Sequence, residues 1–332
     1  MSETGRDHLH SYFRVEFHAL EPSTTYTVEI ASQSDTSPVT FRTLGPPPGE
    51  LRFRIALLSD LHIQPGASKI HSQGPRRRLY EHAEELGRKY IARMGEQADL
   101  VVWLGDTFDP FTAKLKTLAK ELVGKAGVPC VPIIGNHEIY GELGEADFYR
   151  AFDLPAHGYH RIDRDGLRLI FLSTPDQACL SPGDESFDWL ARELDTEQDV
   201  LVFSHFSLLL HPCVRGPKND GMQVLYRPQA VLDLLRNFPN VRAFVAGHKN
   251  VPSRVEHDGV LHLLTPQLIQ APCSYTILSV HERGLVHNVY EIEEQELAQR
   301  SRDAYGRDYA ERHGPEDARN YNYVYPKIYD RA

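Results

Sequence analysis

Cysteine is scarce in this chain. There are four in 332 residues, at positions 130, 179, 213 and 273, and none falls in a CxxC spacing. That excludes a dense disulfide framework and a thiolate metal knuckle. Cys130, Cys179, Cys213 and Cys273 are instead expected to be buried free thiols, where such groups behave as small hydrophobes. Long apolar runs are also missing: none approaches the ~18 residues that would span a bilayer. The N-terminal MSETGRDHLHSYF is polar and lacks the apolar centre of a signal peptide. The expectation is therefore a cytoplasmic protein with no membrane partner. Positive charge is in deficit, with 36 Lys+Arg against 46 Asp+Glu and a net charge of -10. General nucleic-acid binding needs a basic footprint, which this balance argues against. A small basic patch around an anionic substrate remains compatible with it. No internal repeat of fixed period occurs.

What is present is an ordinary globular composition, 41% hydrophobic and 25% charged, long enough for a sizeable core. Residues 12–44 alternate as short strands between turns rich in Pro, Ser and Asp. LEPSTTYTVEI followed by VTFRTL resembles the closing strands of a fibronectin type III sandwich, of which only part is present. GPPPGE, residues 45–50, has the composition of a stiff linker. From residue 51 the pattern changes to apolar strands at 53–59, 98–105, 128–135, 167–173, 199–204, 241–247 and 260–266. Helical stretches are expected at 76–95, 112–126, 186–194 and 228–237. This alternation predicts an α/β fold whose mostly parallel sheet is covered on both faces. Residues 291–332 form a charged helical segment and then NYNYVYPKIY, which sets Tyr321, Tyr323 and Tyr325 on one face of an extended strand. Those rings either dock back on the domain or supply a homo-oligomer contact.

The chemistry lies where the strands stop. LLSDLH ends one strand with Asp60 and His62, WLGDTFD another with Asp106 and Asp109, and IIGNHE a third with Asn136, His137 and Glu138. VFSH and VAGH end two more with His205 and His248. In an open parallel sheet such strand ends share one edge, where ligands bind. Residues two apart in an extended segment point the same way, so Asp60 and His62 can reach one ion. Gly105, Gly135 and Gly247 precede ligand positions, where a glycine allows a sharp exit and a close approach. Each motif alone is ordinary turn chemistry. Five converging strand ends are not. Oxygen and imidazole donors without thiolate suit Mn, Fe, Zn or Co.

Asp60-x-His62, Gly105-Asp106-x-x-Asp109, Gly135-Asn136-His137-Glu138, His205 and Gly247-His248 resemble the calcineurin-like metallophosphoesterase superfamily over residues 52–290. GNHE with a later GH and TP looks most like its cyclic-nucleotide and glycerophosphodiester phosphodiesterase branch. The resemblance implies a four-layer αββα sandwich over residues 51–290 and two divalent ions. Asp60 and His62 would bind the first ion, Asp106 would bridge, and Asn136, His205 and His248 would bind the second. The family's remaining ligand, a second histidine after Gly-His-x, is Asn250 here, so the first ion is expected to be held more loosely. His137 would act beside the substrate, and Asp109 or Glu138 would support the ligands. Purple acid phosphatases carry a tyrosine at the position of Asp109, so no tyrosinate ligand is expected. Arg76, Arg77 and Arg78 form either a solvated helix start or a phosphate clamp, for which arginine's forked donors are suited. The implied activity is hydrolysis of a small anionic phosphoester, a phosphodiester ahead of a phosphomonoester or phosphoramidate, by in-line attack of a metal-bridging hydroxide. The competing class is a catalytically weak protein-binding scaffold on the same fold.

Overall fold

The computed structural model describes residues 17, 20–31, 36–65, 79–174, 180–211, 228–305, 313, 314 and 316–326. Arg76, Arg77, Arg78, Cys179 and Cys213 lie outside the described residues. The chain divides into two compact units, Met1–Pro46 and Pro47–Ala332. In the first, strands β1 (Thr25–Ala31) and β2 (Thr36–Arg42) pair antiparallel, Thr25 opposite Arg42 through Ala31 opposite Thr36. The Tyr26 ring stacks on Phe41 at 5.9 Å between centroids, a cross-strand pair that pins the register.

The second unit holds two six-stranded sheets. The first contains β3 (Leu51–Leu58), β4 (Leu100–Leu104), β5 (Cys130–Ile133), β12 (Ser274–His281), β13 (Gly284–Glu291) and β14 (Tyr321–Val324), in the order β14-β13-β12-β3-β4-β5. The second contains β6 (His160–Arg164), β7 (Leu167–Leu172), β8 (Asp199–Ser204), β9 (Val241–Ala246), β10 (Ser253–His257) and β11 (Val260–Leu264), in the order β10-β11-β9-β8-β7-β6. Strands β3, β4 and β5 run parallel, as do β7, β8, β9 and β11.

Alternation sorts each strand's side chains between two cores. Ile55, Leu57, Val102, Leu104, Leu169, Phe171, Leu201, Phe203 and Val245 meet between the sheets. Ala56, Leu58, Val101 and Trp103 point outward from the first sheet onto helices α1 (Ala83–Gln97) and α2 (Lys116–Lys125). Ile170, Leu172, Val202 and Phe244 point outward from the second sheet onto α4 (Glu185–Leu194) and α5 (Gln229–Arg236). The remaining α-helices among the described residues are α3 (Glu145–Ala151) and α6 (Gln295–Tyr305). This is the αββα sandwich. It differs from the residue pattern's single sheet with helices on both faces, because continuous apolar strands report burial on two sides but not what does the burying. No described helix is long and apolar enough to cross a membrane.

The carbonyls of Pro48 and Glu50 accept the amides of Arg283 and Glu282. The second half of the proline-rich segment is thus bonded to the turn between β12 and β13. The tyrosine-rich end adds β14 to the sheet beside β13. Tyr321 and Tyr323 are buried in the inter-sheet core, and the Arg254 and Arg242 guanidiniums lie over the rings of Tyr321 and Tyr325 at 4.2 and 4.7 Å. Both arginines belong to the second sheet, so the strand closes the two sheets at one end. Its rings are spent within the chain. Cys130 and Cys273 are free thiols.

Among the histidines buried away from the strand-end cluster are His211, which bonds Ser253 Oγ at 3.0 Å, His262, and His287, whose Nδ1 donates to the Arg319 carbonyl at 2.9 Å. Burial pushes them down to about 4, 3 and 4. In the unfolded chain they would titrate near ~6.5. Folding holds them neutral, so their contribution is complete above ~6.5 and is lost as pH falls toward the folded values. Three protons weigh up to about 4 kcal/mol per pH unit in that window. Urea midpoints are expected to drop steeply as pH falls below ~6.5. A level profile down to pH 4.5 would contradict this.

Candidate metal centre

The five strand exits meet at one place. After β3, the Asp60 amide donates to the Gly105 carbonyl at 3.0 Å and the His62 amide to the Asp106 carbonyl at 2.8 Å. The exits of β3 and β4 therefore run on side by side beyond the sheet. From the second sheet, the His205 carbonyl accepts the Gly247 amide at 3.1 Å, which ties the exits of β8 and β9. A Cβ at Gly105 would overlap the His205 ring and lie 2.9 Å from Gly135 Cα, and φ there is +89°. One at Gly247 would lie 2.8 Å from the Leu104 carbonyl. These glycines are required as much for the space the ligands occupy as for the turn itself.

Asp60, Asp106, His205 and His248 offer ligand atoms that all lie within 4.8 Å of one another, and His62, Asp106 and His137 form a second such group. Asp106 belongs to both. Its Oδ2 lies 3.4 Å from His205 Nε2, 3.9 Å from His137 Nε2 and 4.0 Å from His62 Nε2. His62 Nε2 lies 3.7 Å from Asp60 Oδ1. Asp60 Oδ2 accepts the His248 amide at 2.9 Å and the Ser59 hydroxyl. Asn136 Oδ1 is 3.2 Å from His205 Nε2, and His248 Nδ1 is 3.2 Å from the same nitrogen. Asn250 is buried, and its amide donates to the His248 carbonyl at 3.0 Å.

The partners fix which nitrogen each imidazole presents. His205 Nδ1 lies 2.6 Å from the Leu104 carbonyl, which can only accept, so Nδ1 donates and Nε2 faces the centre. Asp109 does the same for two rings at once. Its Oδ1 is 2.9 Å from His137 Nδ1 and its Oδ2 is 3.5 Å from His62 Nδ1, turning both Nε2 atoms toward Asp106. Burial would raise the Asp109 carboxyl, but its bonds to His137 and His62 hold it below the usual range. Burial would likewise raise Asp106, but the charge and hydrogen bond of His205, with the charges of His62 and His137, together hold it below the usual range. His205 is driven the other way, up to about 9: burial opposes this, and Asp106 overcomes it. Burial, then His205, pushes His248 down to about 4.

Glu138 lies beneath the centre, 1% exposed. Its Oε2 accepts the amides of Asp106 at 3.0 Å and Gly135 at 2.8 Å, and its Oε1 that of Phe108 at 2.9 Å. Burial and the Asp106 charge push this carboxyl up to about 7. Its partners are backbone, so it holds two ligand loops in place. Ser59 and Tyr140 were missed in the sequence. Tyr140, whose hydroxyl accepts the Asn136 amide at 3.0 Å, carries no motif signal. Only its i+4 spacing from Asn136 within a helical turn hints at the contact.

The donor set fits divalent ions. Two buried carboxylates converge with imidazole nitrogens, and among the described residues their ion pairs are with imidazoles alone. The profile of the calcineurin-like phosphoesterase family matches residues 53–252. The chain belongs to that family. It is 30% identical over 217 residues to the cAMP/cGMP dual specificity phosphodiesterase MT0825 of Mycobacterium tuberculosis (strain CDC 1551 / Oshkosh). That match spans 60% of this chain and 64% of the relative, just under two thirds of its length. Among solved structures, a dimetal phosphatase from Danio rerio superposes with a TM-score of 0.55 at 18% identity, covering 72% of this chain and 96% of that one. GAP50, the anchor in the inner membrane complex of Plasmodium, superposes with a TM-score of 0.50 at 13% identity, covering 81% and 99%. At these identities the structural likenesses speak for the fold, and an argument for activity has to come from the site.

Proposed function

We propose that the chain is a metal-dependent phosphodiesterase acting on a small anionic phosphoester. The observation that carries this reading is Asp106, a single buried carboxylate whose Oδ2 lies 3.4 Å from His205 Nε2 and 4.0 Å from His62 Nε2, between the imidazoles of the two sheets, with His137 Nε2 at 3.9 Å. Asp60, His62, Asp106, Asn136, His205 and His248 would hold two divalent ions of the Mn, Fe, Zn or Co class, with Asn250 in the remaining position. When bound, the ions would supply Lewis acidity, activating water and neutralising charge on the phosphoryl oxygens. His137 stands at the edge, its side chain 18% exposed, with Nδ1 held by Asp109 at 2.9 Å. That anchor keeps Nδ1 as the donor to Asp109, so in the imidazolium form Nε2 carries the second proton, which it can donate to a phosphoryl oxygen or hand to the leaving oxygen, returning to the neutral ring. A preference for diesters is supported by the likeness to a cyclic-nucleotide phosphodiesterase.

The test is turnover of bis(p-nitrophenyl) phosphate against p-nitrophenyl phosphate by metal-defined protein with added Mn²⁺. Faster diester turnover is expected. Faster monoester turnover would make the chain a phosphomonoesterase, and no turnover with any divalent ion would favour the scaffold. Asn250 has φ of 62°, a conformation that histidine also adopts. Asn250→His is expected to tighten Mn²⁺ binding by about tenfold, read by calorimetry, since one imidazole contact is of the scale of other metal-site interactions. Unchanged affinity and unchanged metal preference would remove Asn250 from the ligand set.

A further inference from the structure

Tyr140 closes a single 3-10 turn, Glu138–Tyr140, that follows directly from Asn136 and His137. Its amide donates to the His137 carbonyl at 3.3 Å, and its ring meets the His137 ring edge-on at 5.1 Å between centroids. Its hydroxyl takes the Asn136 NH2 at 3.0 Å. An amide held by its nitrogen has its oxygen fixed on the other side, and Asn136 Oδ1 indeed lies toward His205 Nε2 at 3.2 Å. The side chain is nevertheless 64% exposed. A large aromatic ring left open to solvent, against the histidine at the edge of the centre, is a surface on which a planar group can stack.

We propose that Tyr140 is the specificity residue of this centre. Its hydroxyl sets the Asn136 amide, and its open ring is the stacking subsite for the planar substituent of the phosphoester, an aryl group or a nucleobase. The proposal rests on the phosphodiesterase reading, which places the phosphoryl group beside His137. It predicts that esters with a flat aromatic portion are preferred over esters with only sugar or alkyl portions.

The test uses the full chain loaded with Mn²⁺ and compares wild type, Tyr140→Phe and Tyr140→Leu. Calorimetry reads the binding of adenosine monophosphate against ribose 5-phosphate, neither of which needs to turn over. Wild type and Tyr140→Phe are expected to favour the nucleotide about 3–10-fold, and Tyr140→Leu to lose that preference. Both variants are expected to weaken Mn²⁺ binding by about tenfold, because each loses the hydroxyl that anchors the amide. Because the ring is exposed, thermal melts of the metal-free variants should match metal-free wild type. The stacking subsite is overturned if wild type binds the two ligands equally, or if Tyr140→Leu keeps the preference. The positioning role is overturned if Tyr140→Phe binds Mn²⁺ as wild type does. Failure of the phosphodiesterase reading has its own signature: no turnover of bis(p-nitrophenyl) phosphate by wild type, whatever the binding preference.

Discussion

Asp106→Asn is expected to lower turnover of bis(p-nitrophenyl) phosphate by about a thousandfold or more and to leave fewer than two Mn²⁺ bound per chain. Every other candidate ligand serves one group, whereas Asp106 Oδ2 faces His205, His137 and His62 together. Removing its charge weakens both groups at once. A Lewis-acid contribution of several kcal/mol converts to at least about three orders of magnitude in rate. Asparagine keeps an oxygen for the His137 amide, which Asp106 Oδ1 accepts at 2.9 Å, so the loop is retained and the loss falls on metal and chemistry. Measured together, metal content and rate should fall in step. Turnover within tenfold of wild type, with two ions still bound, would sink the shared-ligand argument.

The largest effect on stability is expected at Glu138. Glu138→Ala strips the acceptors from three backbone amides, those of Asp106, Phe108 and Gly135. Each buried donor left without a partner costs about 1–3 kcal/mol, so the sum for three is about 3–9 kcal/mol before any cavity is counted. For a domain of this size that is a Tm lower by on the order of 10 °C. Glu138→Gln should fall between, because one oxygen remains while its NH2 faces amides that also donate. Metal-free protein is the right sample, since bound ions would mask part of the loss. An alanine variant melting within about 2 °C of wild type would show that these amides find other acceptors.

Much of the centre was legible because its residues sit at strand ends, and apolar strands are the plainest pattern in a sequence. The strands expected at 199–204 and 241–247 emerged as β8 and β9, within a residue. What stayed hidden depends on partners distant in sequence. Glu138 stands in the same motif as Asn136 and His137 and has a ligand's chemistry. Only the folded chain places its oxygens against three amides rather than at the metal positions. Asp109 likewise reads as support for one histidine, and the structure gives it two. The antiparallel strands β12 and β13 escaped notice because they interrupt the alternation of parallel strands and helices. The strand 321–324 gave an extended pattern with no sign of which sheet it would join.

Among the described residues, ten non-glycine positions have positive φ, and five of them are Asp60, His62, Asp106, His248 and Asn250. Left-handed backbone is tolerated best by asparagine, aspartate, histidine and glycine, and taxes most other residues by about 1 kcal/mol or more. The first three of those are also oxygen or imidazole donors. At these five positions the backbone therefore filters substitutions toward an alphabet of metal ligands, and exchange within that alphabet leaves the chain path undisturbed. Asparagine at 250 is one letter drawn from it. The candidate centre would in this sense be retunable: its donor set could drift between oxygen and nitrogen, one residue at a time, without refolding the loops that carry it.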